Sequence, residues 1–233
     1  CRPMRSGGGA CRKRFMMSPD HKDGAKAGLL IVGYRVATTL LQPVLPWILK
    51  RRLARGKEDP ARWREKLAVP SAARPEGRLI WLHAVGLGET LALRGAIAAL
   101  QTRLPDAHFL VTSTTRASAQ VFTQNLPARM LHQFLPLDTP GHVRAFLDHW
   151  HPDLSIWAEQ ELWPGFVLES ARRGIPLALI NARITAEGFA KRKRMAALYQ
   201  ALLGRFALTS AQDQTSADHL QALGARDVPV AGL

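Results

Sequence analysis

The chain has 233 residues, 47% of them hydrophobic, which fits one large or two small folded domains with a well-filled core. Its formal net charge is +14, but residues 1–66 carry 16 Lys/Arg against 5 Asp/Glu, so the remainder has a net charge of only +3. A basic excess confined to the front, beside an apolar run, indicates an anionic membrane surface and disfavours nucleic acid as the partner.

Residues 1–27 form a tail that is rich in Gly, Arg and Lys, shows no hydrophobic periodicity and begins with Cys. We expect this tail to be disordered or not translated at all. It also holds both cysteines, Cys1 and Cys11. The folded part is therefore predicted to have neither disulfides nor thiolate metal sites, which fits a reducing cytoplasm.

Residues 28–55 are predicted to form a membrane-anchor helix with a basic flank. Residues 28–49 are apolar with one charge, Arg35, and a basic cluster follows at 50–55. The run is long enough to span a bilayer. However, a charge near its middle is costly in hydrocarbon, and Pro43 and Pro46 interrupt its second half, which favours an in-plane anchor over a transmembrane or buried core helix. In either membrane case the basic cluster keeps the following domain cytoplasmic.

Residues 56–77 are polar and proline-containing, and they are predicted to be a linker with one short helix. From residue 78 onward, short apolar runs alternate with amphipathic stretches. The predicted strands cover residues 79–83, 109–112, 131–134, 154–158, 177–180, 207–209 and 228–230. The predicted helices cover residues 91–103, 117–125, 142–150, 162–173, 193–203 and 215–223. This alternation predicts an α/β fold, a Rossmann-like parallel sheet with helices on both faces.

Ligands of such sheets meet the loops at the carboxyl ends of the strands. The most informative of these loops follows the first predicted strand, where Gly86 and Gly88 form a tight turn that ends in Glu89. Unpaired N–H groups and the helix dipole favour an ionised carboxylate at the first turn of the next helix. Glu89 is therefore a candidate general base. The alternative is that it only complements the helix dipole.

Two common nucleotide-binding motifs are not matched. Gly86 and Gly88 begin a dinucleotide-binding fingerprint, but Leu91 occupies its third glycine position and no acidic residue ends the second predicted strand. No GxxxxGK[ST] sequence occurs. No spacing of His, Cys, Asp and Glu resembles a metal site. We therefore expect no cofactor and no metal.

Three segments, in order, resemble the 3-deoxy-D-manno-octulosonic acid (Kdo) transferases of lipopolysaccharide assembly. HAVGLGET at 83–90 is similar to the family's His-[Ala/Ser]-[Ala/Val]-Ser-Val-Gly-Glu. EQELWP at 159–164 is similar to Glu-Thr-Glu-Leu-Trp-Pro-Asn, and NARIT at 181–185 to Asn-Ala-Arg-Leu-Ser. The resemblance runs from the apolar helix to Gly232. It departs from the family at Gly86, which replaces a serine, and at Gly165, which replaces an asparagine.

The resemblance implies that residues 78–233 are the N-terminal, acceptor-binding domain of a GT-B glycosyltransferase, anchored at the cytoplasmic face of the bacterial inner membrane. It implies inverting transfer of Kdo from CMP-Kdo to a lipid A precursor, lipid IVA. The family binds CMP-Kdo, a donor substrate, mainly in a C-terminal domain beyond residue 233, so we expect no transfer from these residues alone. Two alternatives are a non-catalytic, membrane-attached lipid-phosphate-binding domain and a GT-B transferase with another sugar donor. The oligomeric state stays open.

By the same resemblance, Glu89 accepts the proton of the acceptor hydroxyl and Glu159 stabilises charge in the transition state, unless Glu159 is a surface residue at a strand end. The weaker acceptor-binding candidates are Gly86, Gly88, Thr114, Asn181, Arg183, Lys191 and Arg192. Their structural alternatives are an N-cap cluster at residues 112–115, a cap or a Glu159 partner at Asn181 and Arg183, and a solvated helix start at residues 191–194. Trp163 is expected to fill the core or an interface, and His83 to be a hydrogen-bonded residue at a strand end.

Overall fold

A computed structural model describes residues 21–85, 87–123, 128–158 and 161–231, except for the side chains of residues 21–23, 87–94 and 121–123. The N-terminal part comprises α1 (His21–Leu41), a 3-10 turn (Gln42–Val44), α2 (Leu45–Ala54) and a 3-10 helix (Trp63–Leu67). The strands that follow are β1 (Leu79–His83), β2 (His108–Ser113), β3 (Met130–Phe134), β4 (Leu154–Ala158), β5 (Leu177–Ala182) and β6 (Leu208–Ala211). The remaining helices are α3 (Leu87–Arg103), α4 (Arg116–Thr123), α5 (Pro140–Trp150), α6 (Pro164–Arg172), α7 (Ala186–Lys193), α8 (Ala196–Leu203) and α9 (Gln214–Ala222).

The six strands form one sheet in the order β3-β2-β1-β4-β5-β6, and every pair of neighbours is parallel. The predicted Rossmann-like parallel sheet with helices on both faces is confirmed. The chain proceeds outward from β1 to β3 and then returns to place β4 on the other side of β1. The strand order therefore reverses between β1 and β4, which is where open sheets of this kind bind ligands.

The side chains of β1 fill the core on both faces of the sheet, because successive residues of a strand point to opposite sides. Leu79 and Trp81 belong to the larger cluster, which α5, α6, α8 and α9 cover. Ile80 and Leu82 belong to the smaller cluster, which includes Ile97 of α3. All five residues of β1 are buried, as expected for a central strand of a parallel sheet.

Several predicted boundaries differ from the structure. Helix α3 begins at Leu87 instead of residue 91, and the predicted strand at 228–230 is only an isolated bridge between Val230 and Ala211. The predicted helix at 193–203 is observed as α8, which begins three residues later at Ala196, and a further helix, α7, precedes it at Ala186–Lys193. Thr185 begins α7 by accepting a hydrogen bond from the Gly188 amide. Residues 191–193 are consequently the last turn of α7 and not a helix start.

The apolar N-terminal segment lies against the domain. By length and composition, Gly24–Ala54 is long enough to cross a membrane, and Pro43 lies in the 3-10 turn that interrupts it. Helix α1 begins at His21, before the expected residue 28, and packs on α8 and α5. The helix also carries exposed apolar side chains: Leu29, Val32, Val36, Leu40 and Leu41.

Residues 56–77, the predicted linker, are held to the sheet by buried charges. The Glu65 carboxylate is 1% exposed and accepts hydrogen bonds from the Phe134 amide and the Arg62 guanidinium. Buried Glu58 pairs with Lys66 at 2.6 Å. A carboxylate buried this deeply is tolerated only when it is paired and hydrogen-bonded, so these contacts fix the path of the chain between the apolar segment and β1.

Candidate functional site

The three segments that resemble the transferase family end three adjacent strands at one edge of the sheet. HAVGLGET begins at the last residue of β1, EQELWP directly follows β4, and NARIT includes the end of β5. His83 is paired in register with Trp157, and Ala158 with Ile180. Neighbouring strands lie about 4.8 Å apart, so the loops after β1 and β4 leave the sheet side by side at the point where the strand order reverses.

The two predicted catalytic carboxylates belong to these loops. The backbone of Glu89 lies in the first turn of α3, because the helix begins at Leu87, four residues before the predicted start, and Gly88 lies in the same turn. The side chain of Glu89, together with Gly86 and Glu159, lies outside the described residues. The catalytic roles of Glu89 and Glu159 and the acceptor-binding role of Gly86 therefore stay predictions.

His83 lies beneath this edge at the end of β1, with 1% of its surface exposed. Its Nδ1 lies 2.9 Å from Thr112 Oγ1, which also accepts a hydrogen bond from the Trp81 indole. Burial lowers the pKa of His83 to about 3, so the ring is neutral at physiological pH. Its Nε2 has no hydrogen-bond partner in the described part of the chain. The expectation of a fully hydrogen-bonded histidine is thus met at only one of the two nitrogens.

Asn181 has an unusual backbone for a residue within a strand. Its φ is +52°, in the left-handed region, where Asn is tolerated better than most residues, and the pairing of β5 with β6 shifts register between Leu179 and Ala182. The side chain is buried, and its Oδ1 has no hydrogen-bond partner among the described residues. Thr185, and neither Asn181 nor Arg183, caps the following helix. The amide oxygen of Asn181 is thus buried at this strand edge without a partner in the described part of the chain.

Asp138 is an acidic residue at this edge that the sequence analysis did not single out. Its carboxylate accepts hydrogen bonds from the Gly165 amide at 2.8 Å, the Phe166 amide at 3.1 Å and the Tyr34 hydroxyl at 2.5 Å. It thereby satisfies the amides at the start of α6, as an N-cap residue would. Burial raises the pKa of Asp138, although the three hydrogen bonds oppose the shift. No local spacing reveals these contacts, because the partners lie 27 or more positions away.

The same contacts explain one departure from the family pattern. A Cβ atom at Gly165 would collide with the Asp138 carboxylate. The position after Trp163-Pro164 therefore has no room for the asparagine that the family carries there. Asp138 supplies hydrogen bonding at this turn instead.

The other acceptor-binding candidates have structural contacts of their own. Lys191 pairs with Glu187 at 2.7 Å, and Arg192 donates to the Gly188 carbonyl and lies over the Tyr199 ring. Thr114 lies between β2 and α4, while the adjacent Thr115 provides the cap by accepting from the Ser118 amide. Among the described residues, no group of three or more His, Cys, Asp and Glu side chains is placed to hold a metal ion.

Comparison with known proteins gives concordant matches. A family model described as "3-Deoxy-D-manno-octulosonic-acid transferase (kdotransferase)" matches residues 61–233. The "Probable 3-deoxy-D-manno-octulosonic acid transferase, mitochondrial" of Arabidopsis thaliana is 39% identical over 177 residues, covering 75% of this chain and 40% of that protein. The "3-deoxy-D-manno-octulosonic acid transferase" of Rickettsia bellii is 34% identical over 191 residues, covering 82% of this chain and 46% of that protein. This chain thus spans less than half the length of either relative.

Among solved structures, the UDP-GlcNAc 2-epimerase from Neisseria meningitidis bound to UDP-GlcNAc aligns with a TM-score of 0.48. Its sequence is 15% identical, and the alignment covers 67% of this chain and 47% of that chain.

Proposed function

This chain belongs to the 3-deoxy-D-manno-octulosonic acid (Kdo) transferase family, and we propose that it binds the lipid A precursor that accepts Kdo and supplies the general base for the transfer. The observation that supports this most is the convergence of the three family-like segments. They end β1, β4 and β5, three neighbours in the sheet, and so contribute to one edge. Segments far apart in the sequence are brought together there as an acceptor site requires.

In the proposed reaction, a glucosamine hydroxyl of the acceptor attacks the anomeric carbon of Kdo. The new carbon–oxygen bond forms as the bond from that carbon to the CMP phosphate oxygen breaks, with inversion, and CMP leaves as the anion. Glu89 takes the hydroxyl proton, and its position in the first turn of α3 favours the ionised form that a base needs. Glu159, in the adjacent loop, stabilises the positive charge that develops on the sugar ring.

Asn181 and Arg183 are proposed to hold the acceptor. The Oδ1 of Asn181 is buried and has no hydrogen-bond partner among the described residues, so an acceptor hydroxyl or amide that reaches it would satisfy it, and Arg183 is exposed at the same strand end. A guanidinium is suited to a phosphate of the lipid A precursor. Lys191 and Arg192 follow in the last turn of α7 and extend the positive charge along this side.

The apolar segment is proposed to place the domain on the cytoplasmic face of the bacterial inner membrane. Helix α1 packs on α5 and α8 and leaves Leu29 and Leu40 exposed. A helix that packs lengthwise on the domain suits an in-plane anchor better than a span. Lys50, Arg51 and Arg52 of α2 add attraction to anionic lipid.

Acceptor binding can be measured on this chain without any donor, using the lipid A precursor in neutral detergent micelles. Asn181→Gly keeps a residue that tolerates the left-handed backbone while it removes the amide. We expect this variant and Arg183→Gln each to weaken binding about tenfold, as for loss of one hydrogen bond to a charged or buried group. Arg205→Gln, at an exposed position after α8, is the matched control and should bind normally. Unchanged affinity in both site variants would refute the acceptor assignment.

A further inference from the structure

An open groove of about 320 Å³ runs between α1 and α5. Its lining consists of Arg35, Val36, Thr39, Leu40, Pro140 and Arg144. We refer to it as the α1–α5 groove. It adjoins a smaller cavity of about 70 Å³, which contains Tyr34 and Asp138 and shares Arg35, Pro140 and Arg144 with it. None of the six groove residues belongs to the three family-like segments, so the proposed transfer reaction does not account for the groove.

The charge of the groove is entirely positive. Its lining contains two arginines and no carboxylate. Arg144 is exposed and donates through Nε to the Pro140 carbonyl, and its two terminal nitrogens form no hydrogen bond within the described residues. Within the described part of the chain, neither Arg35 nor Arg144 forms an ion pair. Two exposed guanidinium groups that share a concave site and have no carboxylate partner there are suited to an anion.

The wall of the groove next to these arginines is apolar and open. Val36 is 53% exposed and Leu40 is 71% exposed, and both line the groove on α1. Arg35 is also the only charge within the apolar residues 28–49. An arginine within an apolar segment that lies at a membrane surface is placed to contact lipid phosphates. A ligand that satisfies both features carries an anionic head and an apolar tail.

We propose that the α1–α5 groove binds the headgroup of a bilayer phospholipid, with its phosphodiester between Arg35 and Arg144 and the start of its acyl chains along Val36 and Leu40. Guanidinium groups match phosphate oxygens in two-point contacts, which an ammonium does not reproduce. A free phosphate ion would leave the apolar wall in water. The inference rests on the proposed membrane placement of α1, and it adds a defined lipid contact that fixes how α1 is rotated about its axis on the membrane.

The test uses the 233-residue chain, vesicles of phosphatidylglycerol and phosphatidylcholine, and, separately, a short-chain phosphatidylglycerol below its micelle concentration. Arg35→Lys and Arg144→Lys keep the charge but remove the two-point contact. We expect each to weaken binding of both probes about tenfold. Arg205→Lys, at an exposed position after α8 and outside both the groove and the basic flank, is the matched control and should change neither. Circular dichroism checks that each variant is folded. Folding should be retained, because all three side chains are exposed.

The outcomes separate the groove from the membrane anchor. If the lysine variants bind both probes like the wild-type chain, the arginines attract lipid only by their charge, and the headgroup site is refuted. Binding to vesicles would still support the anchor in that case. If the chain binds the short-chain lipid but no vesicles, the groove stands and the anchor fails. If millimolar inorganic phosphate displaces the short-chain lipid, the groove is a site for free phosphate and the assignment to phospholipid is overturned.

Discussion

The Tyr34 hydroxyl donates a 2.5 Å hydrogen bond to Oδ2 of Asp138, which lies 104 positions later in the chain. This contact joins α1 to the carboxylate that caps α6, directly after the EQELWP segment. Burial raises the pKa of Tyr34, and the Asp138 charge adds to the shift, so the phenol stays protonated and remains a donor. The apolar helix and the edge of the sheet are therefore connected through one buried carboxylate.

Replacing Tyr34 with Phe should loosen α1 from the domain. Removal of the hydroxyl deletes one of the three hydrogen bonds that Asp138 accepts, and we expect a loss of about 1–2 kcal/mol in the free energy of unfolding. Urea denaturation measures this loss, and faster amide exchange in α1 would locate it. Tyr199→Phe is the control, since the Tyr199 hydroxyl makes no hydrogen bond in the described structure. Equal stability of the two variants would show that the Tyr34 contact contributes nothing.

Restoring the asparagine of the family at Gly165 should destabilise this chain. The new side chain would overlap the Asp138 carboxylate, and we expect Gly165→Asn to cost about 1–3 kcal/mol, the usual range for overpacking. Gly95→Asn serves as the control, because a Cβ at that position meets nothing within 4 Å. The double variant Gly165→Asn/Asp138→Gly should lose less stability than the sum of the two single variants. Strict additivity would mean that the two positions do not compete for the same space.

Stability should decrease as the pH falls below about 6.5. Burial lowers the pKa of His83 to about 3, and burial together with the Arg62 charge lowers that of His132 to about 3, whereas an unfolded histidine titrates at 6.5. Between these values the unfolded chain binds protons that the folded chain does not, so each ring costs about 2 kcal/mol at pH 5 relative to pH 7. Urea midpoints across this range measure the effect.

The His83→Asn variant should lose about 2 kcal/mol less than the wild-type chain over the same change in pH. His151→Asn is the control, because His151 is exposed and its φ of +38° suits asparagine. If the stability of His83→Asn changed with pH as that of the wild-type chain does, the His83 ring would not contribute to the pH dependence.

The exposed side of α1 should contribute directly to vesicle binding. Leu29→Asn and Leu40→Asn each remove an apolar side chain that is more than 70% exposed in the chain alone. Burying a leucine stabilises by roughly 1.5–3 kcal/mol, so each substitution should weaken partitioning into vesicles at least tenfold. Leu208→Asn, at a half-exposed position in β6, should leave partitioning unchanged. A loss of binding in all three variants alike would argue against a specific anchor on α1.

The sequence predicts the strands well and the helix boundaries less well, for physical reasons. Residues 79–83 and 154–158 are short apolar runs in the buried centre of a parallel sheet, and both are observed with the predicted bounds. The sequence analysis does not predict helix α7. Its residues, AEGFAKRK, have no apolar stripe, and the capping role of Thr185 becomes visible only in the hydrogen bond that it accepts. Residues 228–230 are of strand-forming types, but they form only a single bridge at the sheet edge, between Val230 and Ala211.

The candidate site, too, is predicted only in part from the sequence. A glycine turn followed by a carboxylate is a local pattern, so Glu89 and its position at a helix start could be predicted from the sequence. The roles of Asp138 and Asn181 depend on contacts that only the fold creates. Asp138 meets Gly165 only after α5 and β4 have intervened in the chain, and the buried Oδ1 of Asn181, which has no partner among the described residues, lies where the pairing of β5 with β6 shifts register.

The proposed general base is tested most directly by Glu89→Gln in the protein as its gene encodes it, assayed for Kdo transfer from CMP-Kdo to the lipid A precursor. Glu187→Gln, an exposed carboxylate on α7, is the matched control. The account predicts a decrease in kcat of about 10²–10⁴-fold with unchanged acceptor affinity and a normal fold, while the control retains full activity. Turnover by Glu89→Gln within a few fold of the wild-type rate would contradict the account.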